Sequence, residues 1–298
     1  MTQSSKHNSS NPTVLLNKIR HNFPKLNWSN YQYVDEGWDH EVIILDNQIV
    51  FRFPNDPDYL EQLTVEIAVL EKLAPLVDSV TIPKYSYISE DKKFAGYNYI
   101  SGTTLTKDIF DRLSRKEVNE IARKIASFLT LLHTCISKGY NFQEVPLSDL
   151  LETRSEDRIQ VEKYLKPSLS HRDFQLVEMI LTDVEGLVLN NLPAVLLHGD
   201  IYSTHLLWDA GQMNLGIIDF SDMNIGDPAY DFAELYEYGE EFVRLVYQYY
   251  EAPKDDTFLN RAIIYQKWVG VFMMIDFFIS HKTTFAKASE TFERSKLL

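Results

Sequence analysis

The run His198-Gly199-Asp200-Ile201-Tyr202-Ser203-Thr204-His205 is followed by Gly216-Ile217-Ile218-Asp219-Phe220. A carboxylate two residues after a His, a metal-competent side chain five residues further on and an Asp closing an apolar strand are the parts that phosphoryl transfer needs. Asp200 can accept a hydroxyl proton, and a short loop after a strand over 194–197 can present it. His205 and Asp219 can hold Mg²⁺ against the phosphates of a nucleotide. Mg²⁺ prefers oxygen, but an imidazole can complete its octahedron beside phosphate and water. A carboxylate closing an apolar strand needs a partner, which a metal would supply for Asp219. His198 is expected to orient the loop through hydrogen bonds.

Other residues suit the nucleotide and the acceptor. Arg52, on the third strand, can grip phosphates while Glu66, on the helix that follows, holds it in place. Glu36-Gly37-Trp38-Asp39-His40 joins the first two strands where a loop could cover phosphates, although one Gly makes no Gly-rich loop. Backbone groups at Asn98, Tyr99 and Ile100 could read a purine edge, with Ile100 packing on the ring. Asp231 is expected to cap the next helix and brace the catalytic loop. Residues 227–256 hold nine Asp/Glu against two Lys/Arg. Glu234, Glu237 and Glu241 recur at helical spacing and are expected to share a face that attracts a polycation. Trp268 could line the same cleft or simply pack.

The elements that must position these residues follow from β-branched and aromatic runs, turn residues and helical spacing. Strands are predicted over 31–34, 41–45, 49–53, 85–88 and 94–100, with Asp46-Asn47 as a hairpin turn. Between them a helix over 59–73 carries Leu63, Ile67, Leu70 and Leu73 at helical spacing. Residues 116–134 form an amphipathic helix with Val118, Ile121, Ile125, Leu129 and Leu132 on one stripe. Residues 147–190 are charged and expected to be helical. A short hairpin turns around Ala210-Gly211, and the chain reads helical from Asp231 onward. The pattern predicts an α+β architecture: an antiparallel sheet with one helix over 1–102, then a larger, mostly helical part over 103–298.

Composition narrows the partners. The 298 residues can bury a substantial core. A net charge of -14 disfavours nucleic acid and favours cationic ligands. Cys135 is the only cysteine, so no internal disulfide can form. The polar start lacks an apolar signal core, and the apolar stretch 268–275 is too short to span a bilayer. A cytoplasmic monomer without membrane contact is expected.

Together these residues resemble the aminoglycoside phosphotransferase family, the kinase-like small-molecule kinases of bacteria, over about residues 30 to 280. Kinase catalytic loops likewise place an Asp, then a metal ligand five residues later, then a second Asp. The resemblance is greatest to the aminoglycoside 2″-phosphotransferase branch. That branch also has His at the metal position and an acidic helix after the metal Asp. The resemblance implies a bilobal protein-kinase-like fold, with Asp200 as base and Mg²⁺ on His205 and Asp219. It further implies ATP or GTP as donor at a hinge of Asn98 to Ile100, and aminocyclitol contacts from Glu234, Glu237, Glu241 and Trp268. Arg52 departs from the Lys usual in that branch. Macrolide kinases share the metal-position His, so a macrolide or metabolite kinase is the alternative substrate reading. A catalytically silent binding module is a third, opposed by the intact Asp200, His205 and Asp219.

Overall fold

The computed structural model describes residues 11–35, 40–136, 138–139, 145, 147, 157–189, 194–279 and 284–296. The chain divides into two compact units, Met1–Ser101 and Gly102–Leu298. The fold is α+β, as the pattern predicts.

The first unit is built on a five-stranded antiparallel sheet in the order β1-β2-β3-β5-β4. Its strands are β1 (Tyr31–Val34), β2 (His40–Leu45), β3 (Ile49–Pro54), β4 (Tyr85–Ile88) and β5 (Ala95–Asn98). Asp46 and Asn47 make the β2–β3 turn with φ of 48° and 53°, the doubly left-handed geometry of a tight hairpin. The Asp46 carboxylate accepts from the amides of Ser29 and Asn30 at 2.9 and 2.7 Å, tying the turn to the segment before β1.

Two helices serve this unit where one was expected. Helix α1 (Pro12–Asn22) starts on an Asn11 cap with Pro12 in its first turn. It buries Leu15, Leu16 and Ile19 against Ile43, Phe51, Phe53 and Phe94 of the sheet unit. Its signal was present in Asn11-Pro12 and in the 15, 16, 19 spacing, but the polar start masked it. Helix α2 (Pro57–Leu73) is capped by Asp56 and buries Leu63, Glu66, Val69, Leu70 and Leu73.

The second unit holds two small sheets and most of the helices. Strand β6 (Thr103–Thr104) precedes the one-turn α3 (Lys107–Phe110) and the long α4 (Arg115–Thr134). After α5 (Asp157–Gln160) and a π-turn, α6 (His171–Leu189) leads to β7 (Val195–Leu197). Then come β8 (Leu206–Asp209), β9 (Asn214–Ile217) and β10 (Asn224–Gly226). Sheets β6-β8-β9 and β10-β7 flank the catalytic run. The chain ends in α7 (Glu240–Tyr249), α8 (Phe258–Ile279) and α9 (Phe285–Ser295). Of the stretch expected to be helical over 147–190, residues 148–156 and 190 lie outside the described residues. So do Glu36, Gly37, Trp38 and Asp39 of the β1–β2 connection.

Helix α4 shows how local sequence positions the site. Ser114 and Glu117 form a reciprocal capping box at its start. Glu117 also accepts from the Trp208 indole at 3.3 Å, which ties the helix to β8. Ser114→Ala should cost about 1 kcal/mol, the usual value of such a cap. Urea unfolding followed on the helical signal should show a lower midpoint at unchanged slope. An unchanged midpoint would mean that the cap is energetically idle.

Helix α8 corrects one expectation. It runs 22 residues and is long and apolar enough, by length and composition, to cross a membrane. Its apolar stretch is therefore longer than the 268–275 run suggested. Here it packs against α6 and α9, and Val271, Met274 and Ile275 join a hydrophobic cluster of the unit. A helix that is apolar on nearly every side suits the centre of a helical core.

Candidate active site

Strand β7 delivers the chain into His198-Gly199-Asp200. The amides of His198 and Gly199 both donate to Asp231, at 2.9 Å each. Gly199 has φ +85°, and a Cβ there would lie 2.1 Å from the carbonyl oxygen of Asp222, so only glycine fits. The Asp200 amide donates to His198 Nδ1 at 3.2 Å, which makes that nitrogen an acceptor. Burial holds the fully enclosed His198 ring below its ordinary pKa, against the pull of Asp231, and keeps it neutral.

Asp231 is 2% exposed. Burial pushes its carboxyl up, but the His133 hydrogen bond and the Gly199 amide bring it below the ordinary value. His133 Nε2 meets it at 2.9 Å, and His133 Nδ1 meets the Tyr250 hydroxyl at 2.7 Å. Asp231 thus braces the loop. It lies inside a 3-10 turn, Tyr230–Phe232, and does not cap a following helix. Nearby, Arg261 clamps the buried Asp227 through Nε at 2.7 Å and through a second nitrogen at 3.1 Å.

The structure brings Asp200, His205 and Asp219 together. His205 Nδ1 is 3.1 Å from Asp200 Oδ2, and His205 Nε2 is 3.5 Å from Asp219 Oδ2. The three side chains are 30%, 18% and 35% exposed, so a ligand can reach them. Burial lowers the His205 pKa, but the hydrogen bond and charge of Asp200, with Asp219, outweigh it and raise it to about 9. Asp219 is not the last strand residue. It stands two positions past β9 with φ +63°, and its Oδ1 accepts from Ser221 Oγ at 2.7 Å. Among the described residues no group of three His, Cys, Asp or Glu could hold a metal alone. Mg²⁺ is ordinarily held by one or two carboxylates with phosphate oxygens and water, and the Asp219 carboxylate is a donor of that kind, with the His205 nitrogen beside it.

The acidic residues part company. Glu234 and Glu237 lie on a 3-10 turn, Glu234–Tyr238, which ends at Gly239 with φ +100°. Glu241 falls beyond that break, exposed in the first turn of α7. The expected common face of three glutamates is therefore wrong, because Gly239 resets the helical phase. Burial, then the charge of Asp200 and a hydrogen bond to it, raise the Glu234 carboxyl well above its ordinary value. Burial also raises Glu237, while a hydrogen bond from Ser203 and the cations Arg294, Lys107 and Lys287 pull it back. One carboxylate oxygen of each, Oε2, is buried and accepts no hydrogen bond. Trp268 is 4% exposed inside a hydrophobic cluster of the second unit, so it packs and presents no open ring.

In the first unit Arg52 donates to Glu66 at 2.6 Å, with both residues buried. The Tyr99 amide donates to the Gln48 carbonyl at 2.8 Å, so the sheet already uses this one of the expected purine-reading groups. Asn98 closes β5, and Ile100 is 6% exposed. A cavity of about 850 Å³ in this unit lies against α1, and none of the expected nucleotide residues lines it.

Sequence reasoning missed the Asp200–Glu234 contact and the His133–Asp231 pair. No local pattern signals either, because each joins residues more than thirty positions apart.

Known proteins share this arrangement of elements. The sequence matches the phosphotransferase enzyme family, APH, over residues 27–259. The structure is similar to wild-type aminoglycoside 2'-phosphotransferase-IIIa in its GDP complex. Identity is 26%, coverage 97% of this chain and 99% of that one, and the TM-score 0.83. It is also similar to the GDP and kanamycin complex of APH(2")-IIia, at 25% identity, 95% and 98% coverage and a TM-score of 0.82. The apoenzyme of macrolide 2'-phosphotransferase MphH from Brachybacterium faecium shares the fold at 17% identity, with 95% of each chain covered and a TM-score of 0.66. The family match spans the β-sheet unit and the catalytic run alike, and the chain belongs to the phosphotransferase enzyme family as a nucleotide-dependent phosphotransferase of kinase-like fold.

Proposed function

We propose that this enzyme transfers the γ-phosphate of ATP or GTP to a hydroxyl of a cationic aminoglycoside, with 2″-type regiochemistry. The observation that carries the reading is the pair Glu234 and Glu237 beside the Asp200 loop, each with a buried, unsatisfied carboxylate oxygen. A buried acceptor without a donor is costly, and a substrate ammonium group supplies one. Kanamycin in the GDP complex of a structure 25% identical to this chain supports the same substrate class.

In this reading Asp200 takes the proton of the attacking hydroxyl, and His198, held neutral, keeps the loop in shape. His205 and Asp219 would hold Mg²⁺, which when bound neutralises charge on the nucleotide's phosphates. Arg52, fixed by Glu66, meets the phosphates within a nucleotide-binding sheet unit. Asn98 and Ile100 serve the purine. Substrate ammonium groups meet Glu234 and Glu237, and their arrival favours loss of the Glu234 proton.

The test is nucleotide consumption with a panel of aminoglycosides and macrolides. Turnover with macrolides alone would overturn the substrate assignment, and turnover with neither would favour a metabolite acceptor. Glu234→Gln and Glu237→Gln should each raise KM for the aminoglycoside severalfold and leave the nucleotide KM unchanged. Partly exposed charge pairs contribute about 0.2–1 kcal/mol each, more where closure excludes water. Added salt should mimic both variants. Glu241→Gln, on the exposed start of α7, should have no effect. An equal response from all three glutamates would contradict the separation at Gly239.

A further inference from the structure

Arg52 is 5% exposed and touches more than Glu66. The nitrogen that donates to Glu66 also donates to the Tyr85 hydroxyl at 3.2 Å. The other terminal nitrogen meets His40 Nδ1 at 3.2 Å. Tyr85 in turn donates to the second Glu66 oxygen at 3.0 Å. Sheet register explains the meeting. Val42 pairs with Arg52 and His40 with Pro54, so His40 and Arg52 are diagonal neighbours on one face. Glu66 reaches in from α2, and Tyr85 from β4.

We propose that His40 and Tyr85 are positioning residues that fix the plane of the Arg52 guanidinium for the nucleotide's phosphates. The proposal rests on the reading above that Arg52 meets those phosphates. A lysine there would be a point charge with rotatable donors and would need little orientation. Guanidinium is a rigid planar fork, so its direction decides whether two donors reach one phosphate. Glu66 accepts from one terminal nitrogen of the fork at 2.6 Å. Tyr85 and His40 hold it from two further directions. Arginine only donates, so His40 Nδ1 must accept, and the ring is the neutral tautomer with its proton on Nε2. Burial and the Glu66 charge keep the Tyr85 hydroxyl protonated, so it can donate to Glu66 while accepting from Arg52.

The experiment is a set of coupled substitutions, with calorimetric Kd for ATP and for GTP as the readout. His40→Leu and Tyr85→Phe should each weaken binding on the order of tenfold, as misaligned contact groups do. His40→Asn, whose Oδ1 can replace Nδ1 as acceptor, should restore most of the affinity. In an Arg52→Lys background the same changes should matter by less than about twofold, because an ammonium group needs no fixed plane. Equal losses in both backgrounds would show that the two rings only pack, and would overturn the proposal. So would full affinity in both single variants. An Arg52→Ala variant with unchanged Kd would instead remove Arg52 from the nucleotide site. That would sink the underlying reading separately. Thermal unfolding of each variant checks its fold, and the His40→Asn and His40→Leu comparison decides the matter if Tyr85→Phe is unstable.

Discussion

Asp200→Asn is expected to lower kcat about 10²–10⁴-fold, the range that general-base assistance supplies. The change is nearly isosteric, and the backbone ties of the loop do not use the lost charge. His198 and Gly199 stay tied to Asp231 through their amides, and the Asp200 amide keeps its bond to His198 Nδ1. His205 loses a charged neighbour but retains the Asp200 backbone carbonyl at 3.1 Å. Nucleotide affinity should therefore stay near wild type while turnover falls. Single-turnover kinetics at saturating substrates, beside a nucleotide Kd, would separate the two. A rate within about threefold of wild type, far short of the loss expected when general-base assistance is removed, would take Asp200 out of the chemistry.

Asp219→Ala should abolish Mg²⁺-dependent turnover, and His205→Ala should weaken it by shifting the Mg²⁺ midpoint upward. Asp219 contributes the converging carboxylate, held in a left-handed backbone and anchored by Ser221. Its removal leaves one protein ligand where the proposed site offers two. His205→Ala keeps the carboxylate, so added metal should partly restore the rate. Titrating Mg²⁺ against rate in both variants is the measurement. An unchanged midpoint in His205→Ala would make His205 a structural histidine that joins Asp200 to Asp219.

What could be read directly from the residues was whatever repeats locally. The β-branched and aromatic runs at 31–34 and 49–53 produced strands, and the apolar stripe of 116–134 produced α4. Strand and helix periods are set within a few residues, so the sheet followed by helices was legible. The clustering of Asp200, His205 and Asp219 was legible too, because a short loop and one hairpin connect them. The common face of Glu234, Glu237 and Glu241 was not, since it assumed an unbroken helix. Gly239, with its positive φ, ends one phase and starts another.

The sequence by itself determined most strands and long helices, the run 198–205 and the membership of Arg52 and Glu66 in one strand–helix unit. Tertiary structure alone decided what surrounds each of these groups. Asp231 reaches its loop across 33 residues, His133 meets Tyr250 across 117, and Tyr85 reaches Glu66 across 19. It also placed Trp268 in the core and Glu234 against Asp200. The physical reason is that periodicity records only which face of an element is apolar. Which polar groups meet, and how far burial and neighbouring charge shift their protons, depends on the packing of elements distant in the chain.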